Sequence, residues 1–368
     1  MNRRQLLHPA VLAQEAGLLR FAGAAPPESP EPFTLLRFSR RAMGTVFEIG
    51  LRWGTPTAQA AAEAALNHID ELDAQLSIYR DDSEVSQINR RAFQEPVVIE
   101  SRLFELLRSA QKLWELSRGA FDPACGALVE AWGFFRGSPR VPTEEERQTA
   151  LRQCGMRFVE LEPTRRTIRF RREGLKLNLG AIGKGYALDC AAALLRAEFG
   201  ITAAVLTGGR SSILAIGAPP ASPTGWPIGL TDPHQPECRL ATVWLRDQAL
   251  GTSAGTYKNF EHQGRKLHHL LDPRTGWPGN LWSSATCVAR QAAAADALAT
   301  ACFLTAEDAL PRLVAAAEVS AFLTQSDGKR TLQLGASVPC QWEEKTATGL
   351  SPWDEQLKRR HGLTAHHP

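Results

Sequence analysis

The chain has 368 residues, enough for one large domain or two of ordinary size. Hydrophobic residues make up 43% and charged residues 22%, the proportions of a globular protein. The net charge is only +3, without a long basic block, so nucleic acid is not an implied partner. No apolar run reaches the roughly 18 residues of a membrane-spanning helix, so no segment is expected to cross a bilayer.

The seven cysteines are scattered along the chain and form no CxxC pair. A zinc knuckle and a disulfide framework both depend on regular cysteine spacing. The cysteine pattern therefore argues against both kinds of small, cross-linked module.

Residues 1–33 are predicted to form a leader and linker. The leader carries twin arginines near its start and small residues and prolines near its end, as an export signal does. Pro9, Gln14, Glu15 and Arg20 interrupt its apolar region, which fits a cytoplasmic leader with one short helix. The sequence favours a degenerate export signal and a periplasmic location, with a cytoplasmic location as the alternative.

The next part of the chain is predicted to contain a hairpin and two amphipathic helices. Apolar alternation from residue 34 onwards indicates strands with a bend at Met43. Apolar residues at helical spacing follow Thr57 and recur over residues 101–117. The polar loop after the first helix holds Tyr79, whose position alone is more typical of a surface residue than of a ligand platform.

A glycine-bearing turn follows in the middle of the chain. Residues 175–180 are predicted to be a buried strand that enters the turn GAIGKG, and a helix then continues to Gly200. Such a turn aims backbone N–H groups and a helix N-terminus at one point, which favours an anion, and Lys184 adds a positive charge. The signal is weak, because many such turns use glycine only for a positive φ.

Further strands are predicted on either side of Gly208-Gly209, and residues 251–256 are predicted to be a loop of small residues. A hairpin is expected near residues 318–335. Strands and helices mix without regular βαβ alternation, which favours an α+β fold. The domain is expected to span residues 34–335, followed by a polar tail over residues 336–368.

The stretch 268–300 contains the strongest chemical signal. A turn with His269 and Asp272 precedes a β-branched run and an alanine-rich helix. On that helix Asp296 and Thr300 are four residues apart, so they share one face. Their oxygens suit a hard cation. The alternative is that Asp296 is an early-turn helix acid and Thr300 a half-buried core residue.

Seven collinear segments resemble the ApbE family of FAD:protein FMN transferases. They are RAMGTVFEI, LSIYRDDSEVSQIN, GAFDPACGALVEAWGF, LNLGAIGKGYALD, LTGGRSSILAIG, RKLHHLLDPRTGWP and ADALATA. The resemblance implies a single compact α+β domain, T-fold-like, with mixed or antiparallel sheets and packed helices. It implies Mg²⁺-dependent transfer of FMN from FAD to a Thr or Ser hydroxyl of an acceptor protein, with release of AMP. The chain is expected to be a monomer or a homodimer.

The resemblance also assigns individual residues. His269 matches the histidine that assists transfer. The metal ligands are Asp296, Thr300 and, through its backbone carbonyl, Ala181. The positions that match flavin or nucleotide contacts are Met43, Tyr79, Ala120, Phe121, Asp122, Asn178, Lys184 and Leu271.

The chain departs from the family pattern in three places. Asn178 and Arg210 stand where the family often has acids, and the loop SAGTYKNF lacks the usual SGDY order. Fewer acids would weaken metal binding, whereas Arg210 could meet a phosphate directly. Two alternatives remain. One is an FAD pyrophosphatase that gives FMN and AMP with the same metal site, and the other, motivated by Asn178 and Arg210, is a non-catalytic FAD-binding protein.

Overall fold

The structure is a computed structural model that describes residues 34–220, 222–256, 259–335 and 338–343. The predicted leader and most of the predicted tail lie outside these residues. Within the described part of the chain, no helix is long and apolar enough to cross a membrane.

An eight-stranded sheet forms the centre of the molecule, in the order β1-β2-β6-β7-β10-β13-β14-β15. Every pairing in this sheet is antiparallel. Its strands are β1 (Leu35–Ala42), β2 (Thr45–Arg52), β6 (Ala204–Gly208), β7 (Ser212–Ile216), β10 (Ala249–Ala254), β13 (Trp282–Ala289), β14 (Ser320–Gln325) and β15 (Thr331–Gly335).

Three smaller sheets surround it. They contain β3 (Val97–Val98), β4 (Val159–Glu162) and β5 (Thr167–Phe170); β8 (Trp226–Thr231), β9 (Arg239–Leu245) and β16 (Cys340–Trp342); and the hairpin of β11 (Asn259–His262) and β12 (Arg265–His268).

The helices are α1 (Ala58–Leu76), α2 (Glu84–Arg91), α3 (Ser101–Leu116), α4 (Gly126–Ala131), α5 (Glu144–Arg152), α6 (Gly183–Phe199), α7 (Ala292–Phe303) and α8 (Leu310–Ala317). The predicted start of α1 after Thr57 is confirmed, and α5 starts after Thr143 with a capping box.

Alternate residues of the central strands face opposite layers, because successive side chains of a strand point to opposite faces. Leu206 and Leu214 join the main core, to which α1, α6 and α7 also contribute. Val205 and Ile213 join a second core against β8 and β9. The α+β fold predicted from the sequence is confirmed, with helices on one face of the sheet and a small sheet on the other.

The predicted strand over residues 175–180 is wrong. Leu175, Leu177 and Leu179 are buried alternately, as a strand would bury them, but the segment belongs to no sheet. The Asn89 side chain instead bonds both backbone groups of Leu177, at 2.7 and 3.0 Å. These side-chain bonds, together with backbone bonds to Pro123 and Gly126, hold the segment outside any sheet, which the apolar pattern alone could not reveal.

The predicted small-residue loop over residues 251–256 is also corrected, because Ala249–Ala254 is a central strand. Its small residues serve close packing rather than a turn. A Cβ atom at Gly251 would lie 2.4 Å from the backbone carbon of Ala295, so only glycine lets α7 lie this close to the sheet.

The packed fold extends past residue 335. Val338 is buried in the second core, and Cys340–Trp342 pairs with β9. The first part of the predicted polar tail therefore belongs to a sheet.

Candidate functional site

Helix α7 begins beside the start of α6. A Cβ atom at Gly185 would lie 2.1 Å from the Ala292 carbonyl oxygen, so the two helices meet through backbone atoms. Asp189 on α6 caps α7 by accepting hydrogen bonds from the backbone N–H groups of Ala292, at 2.8 Å, and Ala293, at 2.9 Å. These contacts fix the first turn of α7, which ends just before Asp296.

The Asp296 carboxylate is buried and held on several sides. The Gly185 backbone N–H donates to Oδ2 at 2.9 Å, and the Ser212 hydroxyl lies 2.8 Å from both carboxylate oxygens. Lys184 places its Nζ atom 4.0 Å from Oδ2. Burial raises the pKa of Asp296, and the Lys184 charge opposes that rise. A cation at this carboxylate would further favour its charged form.

Thr300 lies one helical turn beyond Asp296, as predicted. Its hydroxyl is 2.9 Å from the hydroxyl of Ser253 on β10 and 3.4 Å from the Asp296 carbonyl oxygen. Ser212 and Ser253 lie on neighbouring strands of the central sheet. Both predicted metal-ligating side chains therefore point from α7 towards the same face of that sheet.

The Ala181 carbonyl fits the same oxygen-donor set. In a regular helix the Gly185 N–H would bond the carbonyl four residues earlier, but here it bonds Asp296. Among the described residues, no hydrogen bond reaches the Ala181 carbonyl. No cluster of three or more His, Cys, Asp or Glu side chains occurs in the described ranges. One carboxylate with neutral oxygens suits Mg²⁺ and leaves coordination positions for phosphate.

The turn that contains His268 and His269 adjoins the end of β10. A Cβ atom at Gly255 would lie 2.6 Å from the His268 ring, which packs edge-on against Phe303 at 5.3 Å. The Leu270 backbone N–H donates to His268 Nδ1 at 3.3 Å. Burial lowers the pKa of His268, so this imidazole favours its neutral form and serves the packing of the turn.

His269 has a different environment. It is half-buried, and its ring lies 6.4 Å from that of Phe134. Its backbone carbonyl accepts from the N–H of Leu271, a buried residue that bridges to Pro278. The chemical role of His269 stays a prediction.

Asp272 lies in the same turn as His269. In the structure the Asp272 carboxylate accepts from the backbone and side chain of Arg274, at 2.8 to 2.9 Å. The Asp272 carbonyl accepts from Gly276 at 2.7 Å. Asp272 therefore holds the turn closed through Arg274.

Tyr79 is 55% exposed, and its ring lies 5.1 Å from that of Phe135. Arg136 bonds the Tyr79 carbonyl oxygen and lies 5.3 Å from the Phe135 ring centroid. An adjoining cavity of about 240 Å³ includes Phe135, Arg136 and Lys176 in its lining. Ligand sites commonly measure roughly 300–1,000 Å³, so this cavity could receive only part of a dinucleotide.

The predicted nucleotide segment is largely interior. The side chains of Ala120 and Phe121 are fully buried in the main core. Asp122 accepts from the backbone N–H groups of Ala124, at 2.8 Å, and Met156, at 3.3 Å. Burial raises the pKa of Asp122 to about 6. Each of these side chains has a structural role, so a nucleotide contact here would involve the backbone.

The remaining predicted positions lie on turns. Met43 has φ 49° at the bend between β1 and β2. Gly209 bonds the Val46 carbonyl at 2.8 Å, which places the Gly208-Gly209 turn beside that bend. Asn178 accepts from the Gly180 N–H at 2.9 Å and shapes the turn before α6. Arg210 is exposed.

Sequence reasoning missed Ser212, Ser253 and Asp189. Serine on a strand carries no spacing signal, and Asp189 is an ordinary acid within a helix. Their partners are distant in the chain, so only the fold reveals them.

A sequence model of the ApbE family matches residues 43–323. A Treponema pallidum FAD:protein FMN transferase is 34% identical over 71% of this chain and 76% of its own length. The enzyme of the same name from Rhodobacter capsulatus is 31% identical over 86% of this chain and 60% of its own length.

Solved structures agree. The ApbE protein of Thermotoga maritima superposes with a TM-score of 0.74 at 29% identity, covering 82% of this chain and 97% of that one. The flavin transferase ApbE of Vibrio cholerae gives a TM-score of 0.71 at 26% identity, covering 82% and 98%. The resemblance noted in the sequence is confirmed, and the chain belongs to the ApbE family.

Proposed function

We propose that this chain is an Mg²⁺-dependent transferase that moves FMN from FAD to a Thr or Ser hydroxyl of an acceptor protein and releases AMP. Family membership and the shared name of its relatives support the FAD:protein FMN transferase class. The observation that carries the finer proposal is the joint placement of Asp296 and Thr300 against one face of the sheet, beside Lys184.

The reaction forms a bond between the acceptor oxygen and the FMN phosphorus and breaks the bond from that phosphorus to the bridging oxygen. AMP leaves with the bridging oxygen, and the proton of the hydroxyl must be removed. Such transfers depend on positioning and charge neutralisation rather than on a covalent protein nucleophile. A bound Mg²⁺ would neutralise charge on the diphosphate.

The chain's own residues supply the other functions. Lys184, in the first turn of α6, adds positive charge next to the helix N-terminus, where anions are favoured. Tyr79 presents a π-surface for the isoalloxazine ring. His269 accepts the proton of the acceptor hydroxyl, because imidazole is a common general base at neutral pH.

The experiment combines the full chain with FAD, Mg²⁺ and a flavin-acceptor domain. A fluorescent acceptor band and stoichiometric AMP are expected, and EDTA should abolish both. Free FMN without a band would establish the pyrophosphatase alternative. FAD binding without AMP or FMN, for several acceptors, would establish a non-catalytic binder.

Two variants locate the chemistry. Asp296→Ala should abolish the metal-dependent reaction, and His269→Ala should lower its rate about 10²–10⁴-fold while FAD binding persists. Asp247→Asn is the matched control, since Asp247 pairs with Arg196 in an exposed ion pair outside the site. Full activity of Asp296→Ala would contradict the metal site.

A further inference from the structure

Two serines of the central sheet form hydrogen bonds with the two candidate metal-ligating side chains. Ser212 on β7 lies opposite Gly251 on β10, and Ser253 follows two residues later on β10. Directly opposite residues share a face, as do residues two apart along a strand. Both hydroxyls therefore emerge from the face against which α7 packs.

The spacing of the serines matches the spacing of their partners. Diagonal neighbours on adjacent strands lie about 7–8 Å apart, and one helical turn from Asp296 to Thr300 advances about 6 Å. Hydrogen bonds form at both ends: Ser212 to Asp296 at 2.8 Å and Ser253 to Thr300 at 2.9 Å. Glycine at position 251 permits the close approach that makes this possible.

We propose that Ser212 and Ser253 are positioning residues that orient Asp296 and Thr300 for the cation. The inference rests on the proposed function, because it concerns the same metal site. Ser212 is fully buried and donates its hydroxyl proton to the carboxylate, which fixes the plane of that group. Residues that bond to ligands in this way tune metal affinity by limiting the ligands' freedom.

Ser253 acts on the hydroxyl of Thr300. A hydroxyl that coordinates a cation uses an oxygen lone pair and must turn its proton elsewhere. Ser253 Oγ, at 2.9 Å, is the acceptor for that proton, and the more distant Asp296 carbonyl is a poorer one at 3.4 Å. This arrangement leaves a lone pair of Thr300 directed away from the serine.

The same strand provides a matched control. Thr252, between Gly251 and Ser253, points to the opposite face and bonds the Thr286 hydroxyl at 2.9 Å. Thr252→Val removes a hydroxyl pair of the same kind and length, on the same strand, without touching α7.

The test measures Mn²⁺ binding to the full chain with FAD, from the electron paramagnetic resonance signal of free Mn²⁺. Ser212→Ala and Ser253→Ala should each weaken Mn²⁺ binding about 10–100-fold. Ser253→Thr keeps the hydroxyl and should restore affinity, and Thr252→Val should bind as the unmodified chain does. In turnover, the Mg²⁺ concentration for half-maximal rate should rise, while kcat at saturating Mg²⁺ stays nearly unchanged.

The outcomes separate the inference from the proposed function. If Asp296→Ala abolishes Mn²⁺ binding but both serine variants bind normally, the positioning role is overturned and the metal site stands. If the unmodified chain binds no Mn²⁺, the metal site itself fails, and the positioning role fails with it. Should Ser212→Ala not fold, the Ser253→Ala and Ser253→Thr pair decides, because Ser253 makes only a hydroxyl-to-hydroxyl bond to Thr300.

Discussion

At the scale of single residues, Tyr79 is the clearest candidate for direct flavin contact. More than half of its surface is exposed, yet its ring is steadied by Phe135 and its carbonyl by Arg136. Because much of the Tyr79 ring is in contact with water in the folded protein, the ring contributes little to the free energy of folding. It can therefore serve as a preformed surface for stacking.

Tyr79→Ala is expected to weaken FAD binding about 2–10-fold, the equivalent of the ~0.5–1.5 kcal/mol of an aromatic pair. Quenching of FAD fluorescence on titration with protein measures the change. The unfolding midpoint should stay where it is, and Tyr79→Phe should bind FAD normally. If the phenylalanine variant lost as much affinity as the alanine variant, ring stacking would not be the cause.

Asp122 is the second residue with a measurable signature, because its pKa is raised to about 6 by burial. An unfolded aspartate has a pKa near ~3.9. The folded state therefore binds the proton more tightly, and this contribution to stability is full below pH ~3.9 and lost as pH rises through 6.

The Asp122→Asn variant carries no charge at either pH. Relative to that variant, the unmodified chain should lose about 2 kcal/mol of unfolding free energy between pH 4 and pH 7. Urea unfolding of both proteins at the two pH values gives the difference. A constant difference across this range would mean that the Asp122 pKa is not raised.

At the scale of elements, backbone contacts between α6 and α7 set the geometry of the site. Gly185 lies against the first turn of α7 and also donates its N–H to Asp296. Any side chain at this position would have to push against backbone atoms, which cannot rotate away as a flexible side chain can.

Gly185→Ala should therefore lower the unfolding free energy by about 1–3 kcal/mol or more, as overpacking does. Gly183→Ala is the control on the same helix, since a Cβ atom there would have its nearest neighbour only at 4.0 Å. The control should be neutral or slightly stabilising, because alanine favours the helix. Thermal unfolding of the two variants checks this, and equal midpoints would refute the close contact.

The sequence predicted most of the helices and strands in which the local residue pattern agrees with the surroundings of the segment in the fold. The predicted helix start after Thr57 and the predicted helix end at Gly200 are both confirmed. Residues 175–180 were mistaken for a strand because burial alternates there without a ladder. Gly251 was mistaken for part of a loop, because a glycine required by a neighbouring helix looks the same in sequence as one required by a turn.

In the candidate site too, local features could be predicted from the sequence and long-range contacts could not. The spacing of Asp296 and Thr300 is local, so their shared face could be predicted from the helix alone. Ser212 precedes Asp296 by 84 residues along the chain, and only the order of the central strands brings the two together. The side-chain burial of Phe121 could not be foreseen from the family pattern either.

At the scale of the whole molecule, the central sheet separates two layers with different roles. The helical layer carries α6, α7 and the candidate metal ligands. The opposite layer of β8, β9 and β16 covers the other face with an apolar core that includes Trp226 and Val338. The second layer can therefore contribute stability without touching the site.

The final prediction concerns where the folded unit ends. Val338 is 5% exposed, the Pro339 carbonyl accepts from Trp244 at 2.9 Å, and Glu343 donates its N–H to the Leu240 carbonyl at 2.9 Å. A chain that ends at residue 335 loses these contacts and leaves an edge of β9 unpaired. A chain that ends at residue 343 keeps them.

We expect the chain ending at residue 335 to lose about 2 kcal/mol or more of unfolding free energy, since burying one aliphatic side chain contributes roughly 1.5–3 kcal/mol. The chain ending at residue 343 is the control and should unfold at a higher midpoint than the chain ending at residue 335. FAD binding at low temperature should persist in both, because the lost strand lies on the face of the sheet opposite α7. Equal midpoints for the two shortened chains would place the end of the folded unit at residue 335, as the sequence predicts.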